Sequence, residues 1–590
     1  MKKNIVERID RIRDLLTKPL QAFIISSSDA HMSEYVASHW EGRKWFSGFT
    51  GSAGTLLVTA KSAAVWTDSR YFLQAADQLE GTGISLQKEM LPETPSIPEY
   101  LGNELNRGEE VGIDGTTFSV TQVREMERML APYQLSLSCH DDLIDQAWIG
   151  RPEIPTNKVK LYPIEYSGRS TADKIADIRK AIGKDTSILV SALDEIAWTL
   201  NLRGDDIECN PLFIGYLVIH PDSVHFFINP KKITPEVGTY LKGQHIECHD
   251  YTDIRPYLQQ IGKGNMLVSP DKTAYSVYRS VSPQCNILEQ DSPISLMKAI
   301  RNETEIEGIH EAMLQDGVAL VKFLMWLEQN VPGGKVSELS ASRYLQSLRA
   351  SHPLYIGESF ETISGYKEHA AIVHYTVNEK TDIPLRQEGL LLVDSGAQYL
   401  NGTTDITRTI VLGPLNDEEK TDYTLVLKGN IDLAMAQFPF GTRGAQLDIL
   451  ARLPLWEQGM NFLHGTGHGV GHCLNVHEGP QSIRMNENPV IFHPGMLTSD
   501  EPGVYKTGKH GIRIENLLLC KPYKEGMFGT YLEFETVTLC PISKAGIRKE
   551  LLTPKEIEWF NAYHEKVYRL LAPLLSDNEQ SWLRTATEAI

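Results

Sequence analysis

The sequence predicts a mixed α/β and α+β chain: two related α/β domains at 1–155 and 156–292, then a larger domain at 293–590 that includes a helical extension at 541–590. Three observations predict it. The length, 590 residues, is about four domain-equivalents at roughly 150 residues each, so two or three domains are expected. Two segments of the first half resemble each other. AFIISSSDAHMSEYV (22–36) leads to WFSGFTGSAGTLLV (45–58), and SILVSALDEIAWTLNLRG (187–204) leads to NPLFIGYLVI (210–219). Each has a β-branched run, an acidic turn, a helical stretch and a second strand, which reads as an internal repeat. Finally, the second half opens on a long helical pattern and continues in strands, the order of an α+β domain.

In chain order, MKKNIVERIDRIRDLLTK alternates charge with Ile, Val and Leu at helical spacing. It has no continuous apolar core and no small-residue cleavage site, so it is expected to be a helix and not a signal peptide. The proline-rich RPEIPTNKVKLYP (151–163) marks the first boundary and EQDSPIS (289–295) the second. Residues 295–331 form one amphipathic pattern, acidic early and stopped by Pro332-Gly333-Gly334. Strands follow to about 540, with helices expected at 418–436 and 444–452. In the tail, Ile557, Phe560, Tyr563, Val567 and Leu570 share a helical stripe that either closes the domain or buries against a second copy.

Composition narrows the function. The 57 Lys plus Arg against 76 Asp plus Glu leave a net charge of −19, which argues against non-specific nucleic-acid binding. The densest apolar stretch, Leu320 to Leu327, is broken by Lys322 and is far shorter than the roughly 20 residues of a membrane span. Seven scattered cysteines without a CxxC indicate neither a disulfide framework nor a Cys-based zinc site. A cytoplasmic protein is expected.

The chemistry is concentrated in 355–540. In GLLLVDSGAQYLNGTTDITRTIVLG (389–413) an apolar strand runs into Asp394 and a Thr/Ile-rich strand carries Asp405. A turn centred between Tyr399 and Leu400 would place the aspartates opposite each other. A turn at Asn401-Gly402 would place Asp405 opposite Gln398. Both registers keep the carboxylates on one face, and bringing them to one ion requires a longer loop or a bulge. In MLTSDEPGVYKTGKHGIRIENLLL (496–519), Glu501 and Glu515 are symmetric about Gly508, which makes them direct cross-strand partners. Between the hairpins lies HGTGHGVGHCLNVHEGP (464–480).

Singly, each residue reads as a turn, cap or solvated charge. Together they are four carboxylates in two hairpins with a glycine-bracketed histidine between them. At ~5 Å and an effective dielectric of ~20, each like-charge pair costs about 3 kcal/mol, and two divalent cations remove that cost. The oxygen-rich set suits Mn²⁺ first, with Fe²⁺, Co²⁺ or Zn²⁺ as alternatives. Two such ions activate a water and polarise a carbonyl or phosphoryl oxygen.

HGTGH is too glycine-rich for a metal-binding helix. If extended, His464 and His468 face one way but lie roughly 13 Å apart, so they do not share an ion. His468, between Gly467 and Gly469, approaches most closely and is the expected ligand. His464 and His477 are expected to contact substrate or to support the ligands, and His472 to be a structural loop residue.

The segments AAIVHYT (370–376), LLLVDSGAQY (390–399), GTTDITRT (402–409), HGTGHGVG (464–471), NVHEGP (475–480), SDEPGVY (499–505) and GIRIEN (511–516) resemble the pita-bread metallopeptidases, and within them the long, three-domain aminopeptidase P type. GFTGSAGTLLV (48–58) and WTDSRYFLQA (66–75) resemble its N-terminal domain, LDEIAWTLNLRG (193–204) its middle domain, and the 541–590 tail its C-terminal extension. The resemblance covers nearly the whole chain. It implies a pita-bread fold for the last domain and a five-ligand dinuclear centre of Asp394, Asp405, His468, Glu501 and Glu515. It also implies substrate histidines at His374, His464 and His477 and a peptide-contacting Arg70. Arg513, on the strand face of Glu515, is suited to hold a site carboxylate.

The implied reaction is release of the N-terminal residue from peptides with proline second. His374 and His477 would stabilise the tetrahedral species, and Glu501 would carry the proton. The resemblance also implies a homodimer. One departure is visible: GYKEHAAIVHY places Lys367, Glu368 and His369 where the family has a small Asn/Gly-rich stretch, which bears on the rim of the site. Three other readings stand beside this one. They are a prolidase acting on X-Pro dipeptides, a non-catalytic binding protein of the same fold, and a metal-free amidinohydrolase of the creatinase sort.

Overall fold

The computed structural model describes residues 2–590. These fall into two compact units, 2–164 with 169–295, and 165–168 with 296–590. The first unit holds two six-stranded sheets. Strands β1 (Leu20–Ile25), β2 (Thr55–Thr59), β3 (Ala63–Thr67), β4 (Ser85–Lys88), β5 (Glu110–Ile113) and β6 (Ser136–Cys139) lie in the order β4-β3-β2-β1-β5-β6. Strands β7 (Thr186–Val190), β8 (Tyr216–Ile219), β9 (Val224–Phe227), β10 (Glu247–His249), β11 (Gly264–Val268) and β12 (Cys285–Glu289) lie in the order β10-β9-β8-β7-β11-β12. The two orders are the same, and so are the strand directions. The hairpin pairs are antiparallel, while each edge pair and each pair closing on the opening strand are parallel. This is the repeat visible at 22–58 and 187–219. The central strands of both sheets are buried on both faces, which is why they read as apolar runs rather than alternations. The N-terminal segment is a helix, Lys2–Leu15.

In the second unit, antiparallel strands pack against the helices Glu303–Asn330, Asp417–Ala434, Gly444–Trp456 and Pro554–Leu571. The expected helix over 295–331 is broken into Pro293–Ala299 and Glu303–Asn330. Asn302 restarts it with a capping box to Glu305. The break has a use: Arg301, buried there, donates to the Val470 carbonyl inside the histidine segment. The tail stripe is spent within the chain. Phe560, Tyr563 and Val567 are buried in the same core, and Leu571, not Leu570, completes the buried face. The Tyr563 hydroxyl also receives a 2.8 Å hydrogen bond from Arg408, whose guanidinium donates to the Glu515 carbonyl at 2.6 Å. The tail therefore braces the segment that carries Glu515, between the strands His510–Arg513 and Asn516–Gly526.

Candidate metal centre

The first hairpin takes neither expected register. Gln398 pairs with Thr403 and Tyr399 with Gly402, so the turn is Leu400-Asn401. Tertiary contacts select it: Leu400 donates to the Leu354 carbonyl at 2.9 Å, and the helix Glu303–Asn330 approaches so closely that a Cβ on Gly308 would sit 2.4 Å from the Asn401 carbonyl oxygen. In this register Asp394 faces Thr407. The ladder is interrupted between Ser395/Ile406 and Gln398/Thr403, and Asp405 projects from the interruption. Gly396 makes that possible, because a Cβ there would lie 2.0 Å from the Thr404 carbonyl oxygen and 2.2 Å from Ser359 Oγ. Gly396→Ala is expected to push Asp405 out of place and to cost about 1–3 kcal/mol. Urea denaturation with elemental analysis checks this; unchanged stability and metal content would refute it.

The second hairpin has the expected register. Gly503 pairs with Arg513 and Asp500 with Asn516, which puts Glu501 opposite Glu515 at the gap between two ladders. Pro502 lies in that gap, where its missing N–H costs no ladder bond.

The structure brings the five expected ligands together. Asp394, Asp405 and Glu515 form one group whose donor atoms lie within 4.8 Å of each other; His468, Glu501 and Glu515 form a second. Sharing Glu515, they outline two neighbouring cation positions with that carboxylate between them. A third group, Asp405, His468 and His477, adds a histidine that spacing had assigned only to substrate or support. The ring of His477 meets that of His468 edge-on, 4.3 Å between centroids.

Each ligand candidate is held from behind. His468 Nδ1–H donates to the Gly469 carbonyl at 2.9 Å, which leaves Nε2 as the lone pair, 3.4 Å from Asp405 Oδ2 and 3.6 Å from Glu501 Oε1. Thr407 Oγ1 donates to Glu515 at 2.9 Å, and the Glu501 N–H donates to the Thr466 carbonyl at 2.8 Å. Arg513 grips Asp394 Oδ2 at 2.6 Å, donates to the Tyr505 hydroxyl oxygen at 2.7 Å and reaches the Val373 carbonyl at 3.3 Å, beside His374. Tyr505 O–H in turn donates to His464 Nε2 at 2.8 Å, since His464 Nδ1–H is committed to the Gly465 carbonyl. His464 is thus linked through Tyr505 and Arg513 to Asp394. Asp448 and Arg452, a buried pair on the helix Gly444–Trp456, fix the histidine segment through Thr466 Oγ1 and the carbonyls of Phe462 and His464.

Electrostatics report a site short of positive charge. Burial, against the pull of Arg513 and His468, pushes Glu501 up to about 7. It raises Glu515 well above the usual carboxylate range, helped by Asp405 and Asp394, and raises Asp394 as well. His468 is opposed by burial, but the hydrogen bond to Asp405 and the charge of Glu501 lift it to about 9. Asp394 Oδ1 is buried without a hydrogen-bond donor. Hard oxygen donors, one orphaned carboxylate oxygen and carboxylates whose pKa values burial and their neighbours' charge raise fit divalent ions.

Some residues escaped the sequence reading. His472 is structural, as expected, but its burial was not legible: its Nε2–H donates to the Tyr166 carbonyl at 3.0 Å. Tyr505, the link between His464 and Arg513, carried no signal beyond its place in a strand. Glu338, fully buried, accepts from Tyr366 N–H at 2.7 Å, His369 Nδ1–H at 2.9 Å and Tyr375 O–H at 3.1 Å. The departure at 367–369 is therefore partly structural. His369 turns inward to Glu338, while Lys367 pairs with Glu388 at the surface at 2.6 Å. Arg70, in the first unit, forms a two-point pair with Asp68 at 2.8 and 2.7 Å.

Comparison with known proteins gives four family matches in sequence. They are the Creatinase/Prolidase N-terminal domain over residues 8–146 and again over 150–305, Metallopeptidase family M24 over 307–522, and the C-terminal region of peptidase M24 over 530–590. A probable Xaa-Pro aminopeptidase P of Talaromyces stipitatus is 39% identical over 100% of this chain and 92% of its own length. Aminopeptidase P1 of Arabidopsis thaliana is 36% identical over 99% of both chains. The crystal structure of an X-prolyl aminopeptidase from Caenorhabditis elegans, described as a cytosolic enzyme with a di-nuclear active site, superposes with a TM-score of 0.95 at 33% identity, covering 99% of this chain and 100% of that one.

Proposed function

This chain belongs to metallopeptidase family M24, in its long aminopeptidase P branch, and from that membership we propose that it releases the N-terminal residue from peptides whose second residue is proline. The observation that carries the reading is the buried cluster of four carboxylates and one imidazole with Arg513 behind it. Asp394, Asp405, His468, Glu501 and Glu515 would hold two divalent ions. Manganese is favoured by the oxygen-rich donor set, and Co²⁺, Zn²⁺ or Fe²⁺ are the alternatives. When bound, the ions activate the attacking water and polarise the scissile carbonyl.

The chain's own residues do the rest. Glu501 takes a proton from the attacking water and delivers it to the proline nitrogen as the C–N bond breaks, ending as it began. His374 and His477 donate to the oxygen that gains charge. Arg513 grips Asp394 Oδ2 and, through the Val373 carbonyl, holds the segment that bears His374. His464 and Tyr505 keep Arg513 in place. Arg70 is assigned as a peptide contact on the match of WTDSRYF alone.

The binding-protein and creatinase-like readings expect these residues to be missing, whereas Asp394, Asp405, His468, Glu501 and Glu515 are all present. The prolidase reading is not favoured, since the relatives that match end to end carry aminopeptidase names. The decisive assay offers X-Pro-Y, X-Ala-Y and X-Pro substrates to the full chain with Mn²⁺. Cleavage of X-Pro-Y alone is expected. Equal rates on X-Ala-Y would overturn the specificity, and preference for X-Pro would establish a prolidase.

A homodimer fits a different surface from the tail. Ile449, Leu453 and Trp456, at i, i+4 and i+7 on the helix Gly444–Trp456, are 44%, 46% and 40% exposed, with Leu463 63% exposed. Such an apolar stripe is what a self-association face requires. Leu453→Glu with Trp456→Glu is expected to halve the mass by light scattering without loss of metal; an unchanged dimer would place the interface elsewhere. A cytoplasmic location is supported by the description of the nematode structure as a cytosolic enzyme. Among the described residues no helix is long and apolar enough to cross a membrane.

A further inference from the structure

The second sheet of the first unit carries a histidine cluster that the peptidase reaction does not use. Strands β9 and β10 run parallel, with His225 beside Glu247 and Phe227 beside His249. Because strand side chains alternate, all four share one face. His225 Nδ1 lies 3.0 Å from His249 Nε2 and 3.6 Å from Glu247 Oε2, and donor atoms of the three residues lie within 4.8 Å of each other. A tetrahedral zinc ion with nitrogen and oxygen ligands at about 2.0–2.2 Å needs donors about 3.3–3.5 Å apart, a spacing the two measured distances bracket.

We propose that His225, Glu247 and His249 form a mononuclear site for a borderline divalent metal, Zn²⁺ in first place, separate from the peptidase centre. Two imidazoles and one carboxylate suit that ion, and three protein ligands leave a position for water or an external donor. The site is oriented from behind. His225 Nε2 lies 3.0 Å from Ser223 Oγ; with Nε2–H donating there, the Nδ1 lone pair turns to the cluster. Phe227 stacks on His249 at 4.9 Å, and Tyr257 lies against both histidine rings at 5.1 and 5.8 Å.

A single shared proton could also satisfy the facing nitrogens. The Glu247 carboxylate beside them adds a negative charge that favours a cation. His220 is excluded as a fourth ligand, since its Nδ1 is taken by Ser187 at 2.6 Å and its Nε2 by Tyr257 at 2.8 Å. The strand β10 forms the sheet edge and the Glu247 side chain is 64% exposed, which gives an ion direct entry.

The test uses full-length protein loaded with Mn²⁺, equilibrated with ZnCl₂, desalted and analysed for metals, beside His249→Gln, Glu247→Gln and His225→Ala. Wild type is expected to retain one more zinc per chain than His249→Gln or His225→Ala, and Glu247→Gln to bind that zinc at least about 10-fold more weakly. X-Pro-Y hydrolysis should be the same in all four. Exchange of zinc into the peptidase centre is common to every protein compared, so it cancels. Glu247→Gln changes an exposed side chain and His249→Gln a rim residue, so misfolding of His225→Ala would leave the test intact. Equal zinc content and affinity in wild type, His249→Gln and Glu247→Gln would overturn the site.

Discussion

Glu515→Gln is expected to lower kcat on an X-Pro-Y peptide by at least about 10³-fold and to leave at most one tightly held ion per chain. The substitution keeps shape and removes one charge. Glu515 is the member common to both groups of carboxylate donors, so its loss weakens two cation positions at once. Its neighbours cannot substitute: Asp394 is tied to Arg513, and Asp405 is held by the interruption at Gly396. The histidines should then separate by role. His468→Ala should lose metal and activity together. His464→Ala should retain two ions but lose activity, because the Tyr505–Arg513–Asp394 chain behind the site is broken. His477→Ala should retain both ions and lose on the order of 10²-fold in kcat if it serves the developing charge. Its closeness to Asp405 and His468 makes metal loss the result that would recast it as a ligand. His472→Ala, at a position the sequence marked only as a structural loop residue, should cost stability, since it empties a buried site and strands the Tyr166 carbonyl. Elemental analysis beside steady-state kinetics reads the first four variants, and urea denaturation reads His472→Ala. Full activity or two retained ions in Glu515→Gln would refute the shared-carboxylate arrangement.

Much of this was legible in the sequence because hairpin symmetry is a local property. Glu501 and Glu515 bracket a glycine turn with polar neighbours, and that turn alone sets their register. The repeat of the first half was legible for a similar reason, since doubly buried strands appear as apolar runs wherever they stand. The first hairpin was not. Asn401-Gly402 is a good local turn, but the helix Glu303–Asn330 packs against Asn401 from about ninety residues away and moves the turn by one position. Long-range contacts also decided the supports. Nothing near Arg301 announces that it holds Val470, nothing near Glu338 that it will gather Tyr366, His369 and Tyr375, and nothing in the tail that Tyr563 will reach Arg408. The tail stripe was visible as a stripe, but periodicity does not say which surface covers it.

Stripped of metal, the protein is expected to lose stability as pH rises, and Glu501→Gln to remove a large part of that loss. The folded-state pKa of Glu501, about 7, stands above the ordinary 4.5. Between those values the folded chain binds a proton that the unfolded chain has released, so the unfolding free energy falls as pH climbs through that window. At about 1.4 kcal/mol per pH unit the full effect is on the order of 3 kcal/mol, complete above neutrality. His468 acts in the same direction at higher pH. Raised to about 9 from 6.5, it contributes stability that is present below 6.5 and lost as pH passes 9. Glu515 and Asp394, both raised chiefly by burial, add to the carboxylate side. Urea denaturation of chelator-treated protein should therefore find Glu501→Gln no better than wild type at pH 5 and more stable by a few kcal/mol at pH 8.5. Saturating Mn²⁺ should reverse the order at pH 8.5, because wild type then has cations where it lacked protons and the glutamine variant has one ligand fewer. A metal-free Glu501→Gln no more stable than wild type at pH 8.5 would mean that the carboxylates are already compensated. The electrostatic case for two ions would then fail.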